Sequence, residues 1–115
     1  MAHDIKAHLR FLPLSAQKVR LVVDTIRGKD AVNAVDTLRF MPQRAAKPVM
    51  KLLNSAIANA EENFGVSRDD LFVATVFADE APTRRWRRFA ARGRFKAILR
   101  RTSHVTIILR ERESA

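Results

Sequence analysis

The 19 residues from Thr83 to Arg101 carry nine basic side chains and no acidic one. The basic residues are Arg84, Arg85, Arg87, Arg88, Arg92, Arg94, Lys96, Arg100 and Arg101. Like charges at this density repel one another unless a polyanion lies beside them. A segment of this kind cannot enter the interior of a small protein, so it must lie on a surface that meets a polyanion.

Nearly all of the net charge of the chain lies in this basic segment. The chain has 22 Lys and Arg residues against 12 Asp and Glu residues, and without the segment the numbers are 13 and 12. Eight of the nine cations are arginines, whose planar guanidinium group suits phosphate. Trp86, Phe89 and Phe95 are interleaved with them, and such rings stack on unpaired bases. The segment therefore predicts a nucleic-acid partner.

Composition excludes several other classes of protein. The aromatic residues of the basic segment form no apolar face at helical spacing, so no membrane partner is predicted. No apolar run approaches the roughly 20 residues of a membrane span, and the N-terminus lacks the apolar core of a signal peptide. The chain has no cysteine, which excludes disulfides and thiol catalysis. These features predict a cytoplasmic protein.

Hydrophobic periodicity predicts a strand followed by three helices. Apolar and polar residues alternate from Ile5 to Phe11, which predicts a strand with Phe11 on its buried face. Ser15 and Asp30 are predicted N-caps of the first two helices, and Gly28 ends the first. A longer helix is predicted from about residue 43 to 63. The predicted core positions include Ala16, Val19, Val22, Val23, Ile26, Ala31, Ala34 or Val35, Leu38, Ala46, Val49, Met50, Leu53, Ala56, Ile57 and Ala60.

Two strand-like runs flank the basic segment and predict an antiparallel hairpin. They are LFVATVFA at residues 71–78 and a run over residues 95–109 that ends in VTIIL. A register in which paired residue numbers sum to about 182 puts the apolar residues on one face and the tip near Ala91. The predicted pairs are Val73 with Leu109, Thr75 with Ile107 and Phe77 with Val105.

The predicted hairpin is too long to lie within the rest of the protein. About 12 residues per strand extend beyond Asp79 and Ser103, or about 40 Å at roughly 3.3 Å per residue. A body of about 90 residues has a radius of gyration near 12 Å. We therefore predict an α+β fold in which about three helices pack on a three-stranded antiparallel sheet and a long basic β-hairpin protrudes. The chain is expected to be a single domain, residues 1–115, with a globular body of residues 1–78 and 103–115 and an arm of residues 79–102.

The carboxylates and histidines do not predict catalysis. Asp79 and Glu80 are neighbours on a strand and point to opposite faces, so they cannot converge on one metal ion. We expect them instead to neutralise arginines across the hairpin, namely Arg100 and Arg101. The three histidines, His3, His8 and His104, lack the spacing of a catalytic or metal site and are predicted to form hydrogen bonds. No metal, cofactor or catalytic residue is predicted.

Three stretches of the chain resemble the bacterial type of one ribosomal family, the twenty-second protein of the large subunit. They read SAQKVRLVVDTIRGK, KLLNSAIANAEEN and VFADEAPTRRWRRFAARGRFKAILRRTSHVTIIL, and they occur in order over nearly the whole chain. The resemblance implies a non-enzymatic protein that binds large-subunit ribosomal RNA in several domains, aids assembly and contacts neighbouring ribosomal proteins. It also implies that the hairpin tip lines the nascent-peptide exit tunnel and lies near the nascent peptide.

The resemblance also implies which residues contact the RNA. Four cations of the first helical region, taken alone, are most simply a solvated face: Lys18, Arg20, Arg27 and Lys29. The family motifs assign these four to ribosomal RNA together with Ser15, Arg92, Arg94, Arg101, Thr102, Ser103 and His104. The charge of the basic segment adds Arg84, Arg85, Arg87, Arg88, Lys96 and Arg100 to the predicted RNA contacts. The tip that faces the tunnel is implied to be Arg88, Phe89, Ala90, Ala91, Arg92 and Gly93. The chain departs from the family at Ala81, where glycine is common, and at Phe89 and Ala90, where a Pro-Arg pair is common.

Two other classes compete with a ribosomal protein. A DNA-bending protein also uses basic β-arms, in the minor groove and usually as an obligate dimer. This chain has one arm and no obvious apolar dimer face, so no homo-oligomer is expected. A metal-dependent nuclease would require convergent carboxylates, which the sequence does not offer.

Overall fold

The computed structural model describes residues 4–89 and 95–112, with the backbone alone over 84–89 and 95–100. In chain order the elements are β1 (Asp4–Leu12), α1 (Ala16–Val23), α2 (Ala31–Arg39), α3 (Ala46–Phe64), a 3-10 turn (Arg68–Asp70), β2 (Leu71–Phe89) and β3 (Phe95–Glu111). The strand order is β1-β3-β2, and both pairings are antiparallel. The predicted α+β fold, with three helices on a three-stranded antiparallel sheet, is confirmed.

The first helix begins where the sequence predicts and ends earlier. Ser15 is the N-cap of α1, and its Oγ accepts a hydrogen bond from the backbone N–H of Lys18 at 3.4 Å. The helix stops at Val23 and a turn continues to Gly28, whose φ of +80° suits a residue without a Cβ. Ile26, within this turn, is still fully buried. The turn thus extends the buried stripe beyond the helix.

The other two helices follow the predicted pattern with changed ends. Asp30 occupies the N-cap position of α2 but makes no side-chain bond to the helix, because its carboxylate accepts from Arg112 Nε at 2.6 Å. The α3 helix ends at Gly65, which has a φ of +65° and donates its N–H to the Ala60 carbonyl. Pro48 lies in the first turn of α3, where a backbone N–H has no helical acceptor, so it removes no helical hydrogen bond.

The core lies between the three helices and one face of the sheet. The helix positions predicted to face the core are buried, except Met50, which is only partly buried against it. Of the alternatives Ala34 and Val35, Ala34 is the buried one. The sheet contributes residues that are likewise buried, namely Ile5, Leu71, Val73, Val76, Ala78, Val105, Ile107 and Leu109. The opposite side of the sheet presents Lys6, His8, Phe77, His104 and Thr106, which alternate along the strands with the core residues, and we call it the open face. Of these five, Thr106 in the central strand is buried between its neighbours.

The register of the hairpin differs from the predicted one. Val73 lies opposite Leu109, as predicted, but Thr75 lies opposite Ile108 and Phe77 opposite Thr106. The predicted partners of Thr75 and Phe77 were therefore wrong by one residue. The cause is a register shift between Val73 and Thr75, and a second shift follows between Ala81 and Arg84. As a result Phe77, predicted to be in the core, is 38% exposed on the open face.

Strand β1 has an irregularity of its own near its end. The pairing with β3 shifts between Leu9 and Leu12, and Phe11 lies there with a φ of +56°. An L-residue in this conformation costs roughly 1–2 kcal/mol. Leu12 takes the buried position, and Phe11 is 59% exposed. The predicted burial of Phe11 was therefore wrong.

The paired strands β2 and β3 continue well beyond the helices. Backbone pairing extends from Ala81 opposite Thr102 to Phe89 opposite Phe95, about 26 Å of strand at roughly 3.3 Å per residue. The protein measures 68 × 24 × 19 Å, and its radius of gyration is 17.4 Å. A compact chain of this length would have a radius of gyration near 13 Å. The division into a body and an arm stays a prediction that these dimensions support.

Candidate nucleic-acid interface

The hairpin register brings cationic residues of the two strands opposite one another. Arg84 lies opposite Arg100, and Arg88 lies opposite Lys96. Like charges in directly opposed positions destabilise a β-ladder. The basic part of the hairpin therefore gains stability from any polyanion placed along it, which is the electrostatic requirement for binding a nucleic-acid backbone.

The predicted tip lies only partly within the described residues. Arg88 and Phe89 belong to β2, and Phe89 opposite Phe95 is the last pair. Residues 90–94 join the two strands and lie outside the described residues, so the predicted tip residues Ala90, Ala91, Arg92 and Gly93, and the predicted RNA contact Arg94, do too. The observed register moves the midpoint of the hairpin from Ala91 to position 92.

Where the hairpin leaves the helices, four of the predicted RNA contacts line one cavity. This cavity, of about 200 Å³, lies between the N-terminus of α1 and the two long strands. Ser15 and Arg20 line it from α1, and Arg101 and Thr102 line it from β3. Residues that are 81 or more positions apart in the sequence thus meet at one place. We call this place the arm base.

Three other polar residues of the arm base were not predicted. Gln17, Thr83 and Glu80 also line the cavity. Gln17 and Thr83 are uncharged, and only their positions beside Ser15 and the basic segment could have suggested them. Glu80 lies opposite Ser103 and Asp79 opposite His104, so neither acidic residue lies opposite an arginine as expected. The first register shift of β2 places both carboxylates one residue further from Arg100 and Arg101 than the predicted register does.

Arg20 and Arg27 have a structural task that the sequence did not reveal. Arg20 Nε donates to the Ala78 carbonyl at 3.1 Å, and Arg27 Nη2 donates to the Val76 carbonyl at 2.8 Å. Because β2 is an edge strand, carbonyls on its outer side lack a neighbouring strand. The two guanidinium groups supply the missing donors. They hold α1 and the following turn against the edge of the sheet.

We expect removal of these donors to lower stability. Replacing Arg27 by Met keeps the aliphatic stem but leaves the Val76 carbonyl without its donor, and the free energy of unfolding should fall by about 1.5 kcal/mol. Lys18→Met is the matched control, because Lys18 is exposed on α1, the helix that leads into the turn with Arg27, and makes no ion pair among the described residues. Urea unfolding measures both variants. Equal stability of the two would contradict the edge-capping role.

The remaining predicted contacts of the first helical region and of β3 are placed as follows. Lys18 is exposed, and Lys29 Nζ donates to Thr37 Oγ1 at 3.1 Å. Thr102 Oγ1 donates to the Pro82 carbonyl at 3.1 Å. Ser103 is fully buried, and its Oγ has no hydrogen-bond partner within residues 4–89 and 95–112. Its hydroxyl is closed off from solvent in this conformation.

Two of the histidines form the hydrogen bonds that were predicted. His104 Nδ1 accepts the backbone N–H of Phe11 at 3.0 Å, and the rings of these two residues meet edge to face with centroids 4.8 Å apart. His8 Nδ1 lies 3.1 Å from Thr106 Oγ1. His3 lies outside the described residues. His8 and His104 therefore serve structure, and both lie on the open face.

Two cations far from the arm base form ion pairs with carboxylates. Arg110 Nε donates to Asp4 Oδ1 at 2.8 Å, and this hydrogen bond lowers the pKa of the Asp4 carboxyl. Arg112 pairs with Asp30 and lies 4.6 Å from the centre of the Phe72 ring. Such exposed pairs contribute little to stability. They do, however, leave the excess positive charge concentrated toward the hairpin.

The histidines and carboxylates of the described part of the chain form no cluster that could hold a metal ion. None of its helices is long and apolar enough to cross a membrane. The arrangement consists of opposed cations along two strands and a small polar cavity at their base.

This architecture belongs to a structural, non-enzymatic class of proteins, the ribosomal proteins. Residues 7–110 match the family described as Ribosomal protein L22p/L17e, and the chain belongs to that family. This membership decides against the DNA-bending protein and the nuclease.

Three relatives carry the name "Large ribosomal subunit protein uL22". The protein of Mesoplasma florum is 53% identical over 106 residues, which cover 92% of this chain and 95% of the relative. That of Thermoanaerobacter sp. is 47% identical over 110 residues, covering 96% and 99%. That of Chloroflexus aggregans is 42% identical over 109 residues, covering 95% and 96%. The similarity therefore extends over the body and the hairpin alike.

Proposed function

We propose that the protein is a structural component of the large ribosomal subunit in the cytoplasm and binds large-subunit ribosomal RNA through its hairpin and arm base. The observation that carries this proposal is the opposed pairing of cationic residues, Arg84 with Arg100 and Arg88 with Lys96. A hairpin with this register is best stabilised when phosphates lie along it. Because the relatives are named as proteins of the large ribosomal subunit, the RNA of that subunit is the proposed partner.

The shape of the protein supports contacts with more than one RNA domain. A body and a hairpin that together span 68 Å reach RNA segments that a compact protein of this size could not join. Holding such segments together favours the assembled subunit over the separate domains. The protein therefore aids assembly, and its remaining surfaces meet neighbouring ribosomal proteins.

The tip of the hairpin is proposed to line the nascent-peptide exit tunnel at Arg88, Phe89, Ala90, Ala91, Arg92 and Gly93. Two observations support this proposal: the length of the hairpin beyond Ala81 and the membership of the chain in the family. Strands that extend about 26 Å beyond Ala81 carry their tip far from the body. A tip at that distance contributes little to the stability of the body. It would instead determine the local shape of the tunnel wall.

Deleting residues 90–93 should alter the tunnel without preventing assembly. Most proposed RNA contacts lie along the strands and at the arm base, so the yield of large subunits should remain near that of the parent strain. Peptide stalling and macrolide sensitivity should change, because the tunnel wall is reshaped. Sucrose-gradient profiles measure the yield, and growth with a macrolide measures the response.

A second strain separates the shape of the tip from its chemistry. In this strain residues 90–93 are replaced by an equal number of Gly and Ser residues, which preserves the length of the connection. Peptide stalling and macrolide sensitivity in this strain should be closer to those of the parent strain than the same responses in the deletion strain. Normal stalling and drug responses in subunits that contain the shortened protein would contradict a tunnel-lining tip.

A further inference from the structure

Four rings lie close together on the open face of the sheet, next to the arm base. His8 and Phe77 flank Thr106 in one row across the three strands. In the adjoining row His104 lies opposite Asp79, and Phe11 contacts the His104 ring. Neighbouring strands lie about 4.8 Å apart, so side chains on the two outer strands are about 10 Å apart. None of the helices covers this group of rings, since the helices pack against the other face.

The exposure of Phe11 is maintained by a strained backbone. Simple alternation along β1 would bury this residue, but its φ of +56° turns the ring outward, where it is 59% exposed. For a bulky residue this conformation is an outlier that persists only when its surroundings hold it. The bond from its N–H to His104 Nδ1 provides that support. A fold that holds an apolar ring in solvent in this way indicates a surface that binds something.

The charges around the rings indicate the kind of partner. Lys6 and Arg10 of β1 are exposed beside them. Asp4 is engaged by Arg110, and Asp79 is the carboxylate that remains next to His104. Exposed rings accompanied by cations suit unpaired nucleotides, which offer a flat base and a phosphate together. An apolar protein surface would leave Lys6 and Arg10 without partners.

We infer that the open face, centred on Phe11, Phe77 and His104, is a second RNA-binding surface that stacks unpaired bases. Lys6 and Arg10 contact the phosphates of the same nucleotides. Strands β2 and β3 run without interruption from this face into the hairpin. One continuous RNA segment can therefore follow the arm and end on the rings. The inference rests on the proposed function in taking RNA as the partner.

Binding of a single-stranded RNA to the full-length protein tests this inference. The probe is a fluorescent 12-nucleotide oligouridine, and fluorescence anisotropy gives the dissociation constant. Phe77→Ala and Phe11→Gly should each weaken binding by roughly 5- to 150-fold, the loss typical of one base-stacking ring. The dependence on salt should not change, because no charge is removed. Phe40→Ala is the matched control, since Phe40 is 82% exposed at the end of α2.

The Phe11→Gly variant also reports on its own folding. Glycine adopts positive φ without strain, so the thermal midpoint should stay the same or rise while RNA binding weakens. A structural role alone would instead lower the midpoint. As a second measurement, 4-thiouridine in the probe should crosslink to peptides of β1 and β2 that contain the two phenylalanines.

The outcomes separate this inference from the proposed function. If Phe11→Gly and Phe77→Ala bind the probe as Phe40→Ala does, the open face does not stack bases. If crosslinking in intact subunits joins this face only to another protein, the inference is likewise overturned. The proposed function fails under a different result, in which neutralising the arginines of the hairpin leaves affinity for large-subunit RNA and its salt dependence unchanged.

Discussion

Replacing Arg84, Arg85, Arg87 and Arg88 together by Gln will lower the affinity for large-subunit RNA by about three orders of magnitude at 0.1 M salt. Each phosphate contact contributes roughly 0.7 to 0.9 to the slope of log affinity against log salt. Four lost contacts should therefore flatten that slope by about 3. Filter binding of a large-subunit RNA fragment between 50 and 300 mM salt measures both quantities.

The control for this experiment changes the same net charge at another place. Arg39, Arg44, Lys47 and Lys51 are exposed cations of the helical side, and their replacement by Gln should reduce the slope far less. An unchanged slope in the hairpin variant would show that its four arginines do not meet phosphates. Equal losses in the two variants would show that only the total charge matters.

Removing the hairpin should abolish most RNA binding and leave the body folded. In this variant an Asn-Gly turn joins Ala81 to Thr102 in place of residues 82–101. These two residues lie opposite each other, and a two-residue turn of this sequence fits the twist of paired strands. The core residues, such as Leu53 and Ile107, are fully buried outside the removed segment. The thermal midpoint should therefore stay within a few degrees of the parent value.

Circular dichroism during heating tests whether the shortened protein keeps a cooperative transition. Loss of that transition would mean that the hairpin belongs to the folding unit and that the predicted division into body and arm is wrong. RNA titration of the same sample provides the second measurement. Near-parental RNA affinity in a folded, shortened protein would place the main binding surface on the body.

Periodicity and end signals were enough to predict the helices. The stripe from Val19 to Ile26 and the cap at Ser15 depend on local chemistry, and the structure confirms them. The register of the strands was less accessible. The two register shifts in β2 and the outward orientation of the Phe11 ring depend on contacts with distant residues, so no local sequence pattern predicts them. One inserted residue was enough to move Phe77 from the predicted core to the surface.

The candidate nucleic-acid interface was also only partly predictable from the sequence. Charge is a property of the amino-acid sequence, so the basic character of the hairpin can be predicted from residue types alone. The bonds of Arg20 and Arg27 to carbonyls of β2 depend on that strand being at an edge, which only the observed strand order reveals. The complete burial of Ser103 likewise depends on its place in the central strand. Residue type indicated the partner, whereas tertiary structure decides which residues are available to it.

The strand order also determines when the body can form during synthesis. The two outer strands do not pair with each other, and both need β3, which follows them in the chain as the third of the described strands. Asp4 meets its partner Arg110 only after more than a hundred intervening residues have emerged. Contacts this distant in sequence slow folding. The basic part of β2 is therefore synthesised before β3 completes the sheet. RNA can bind this part of the chain while the body is still incompletely folded.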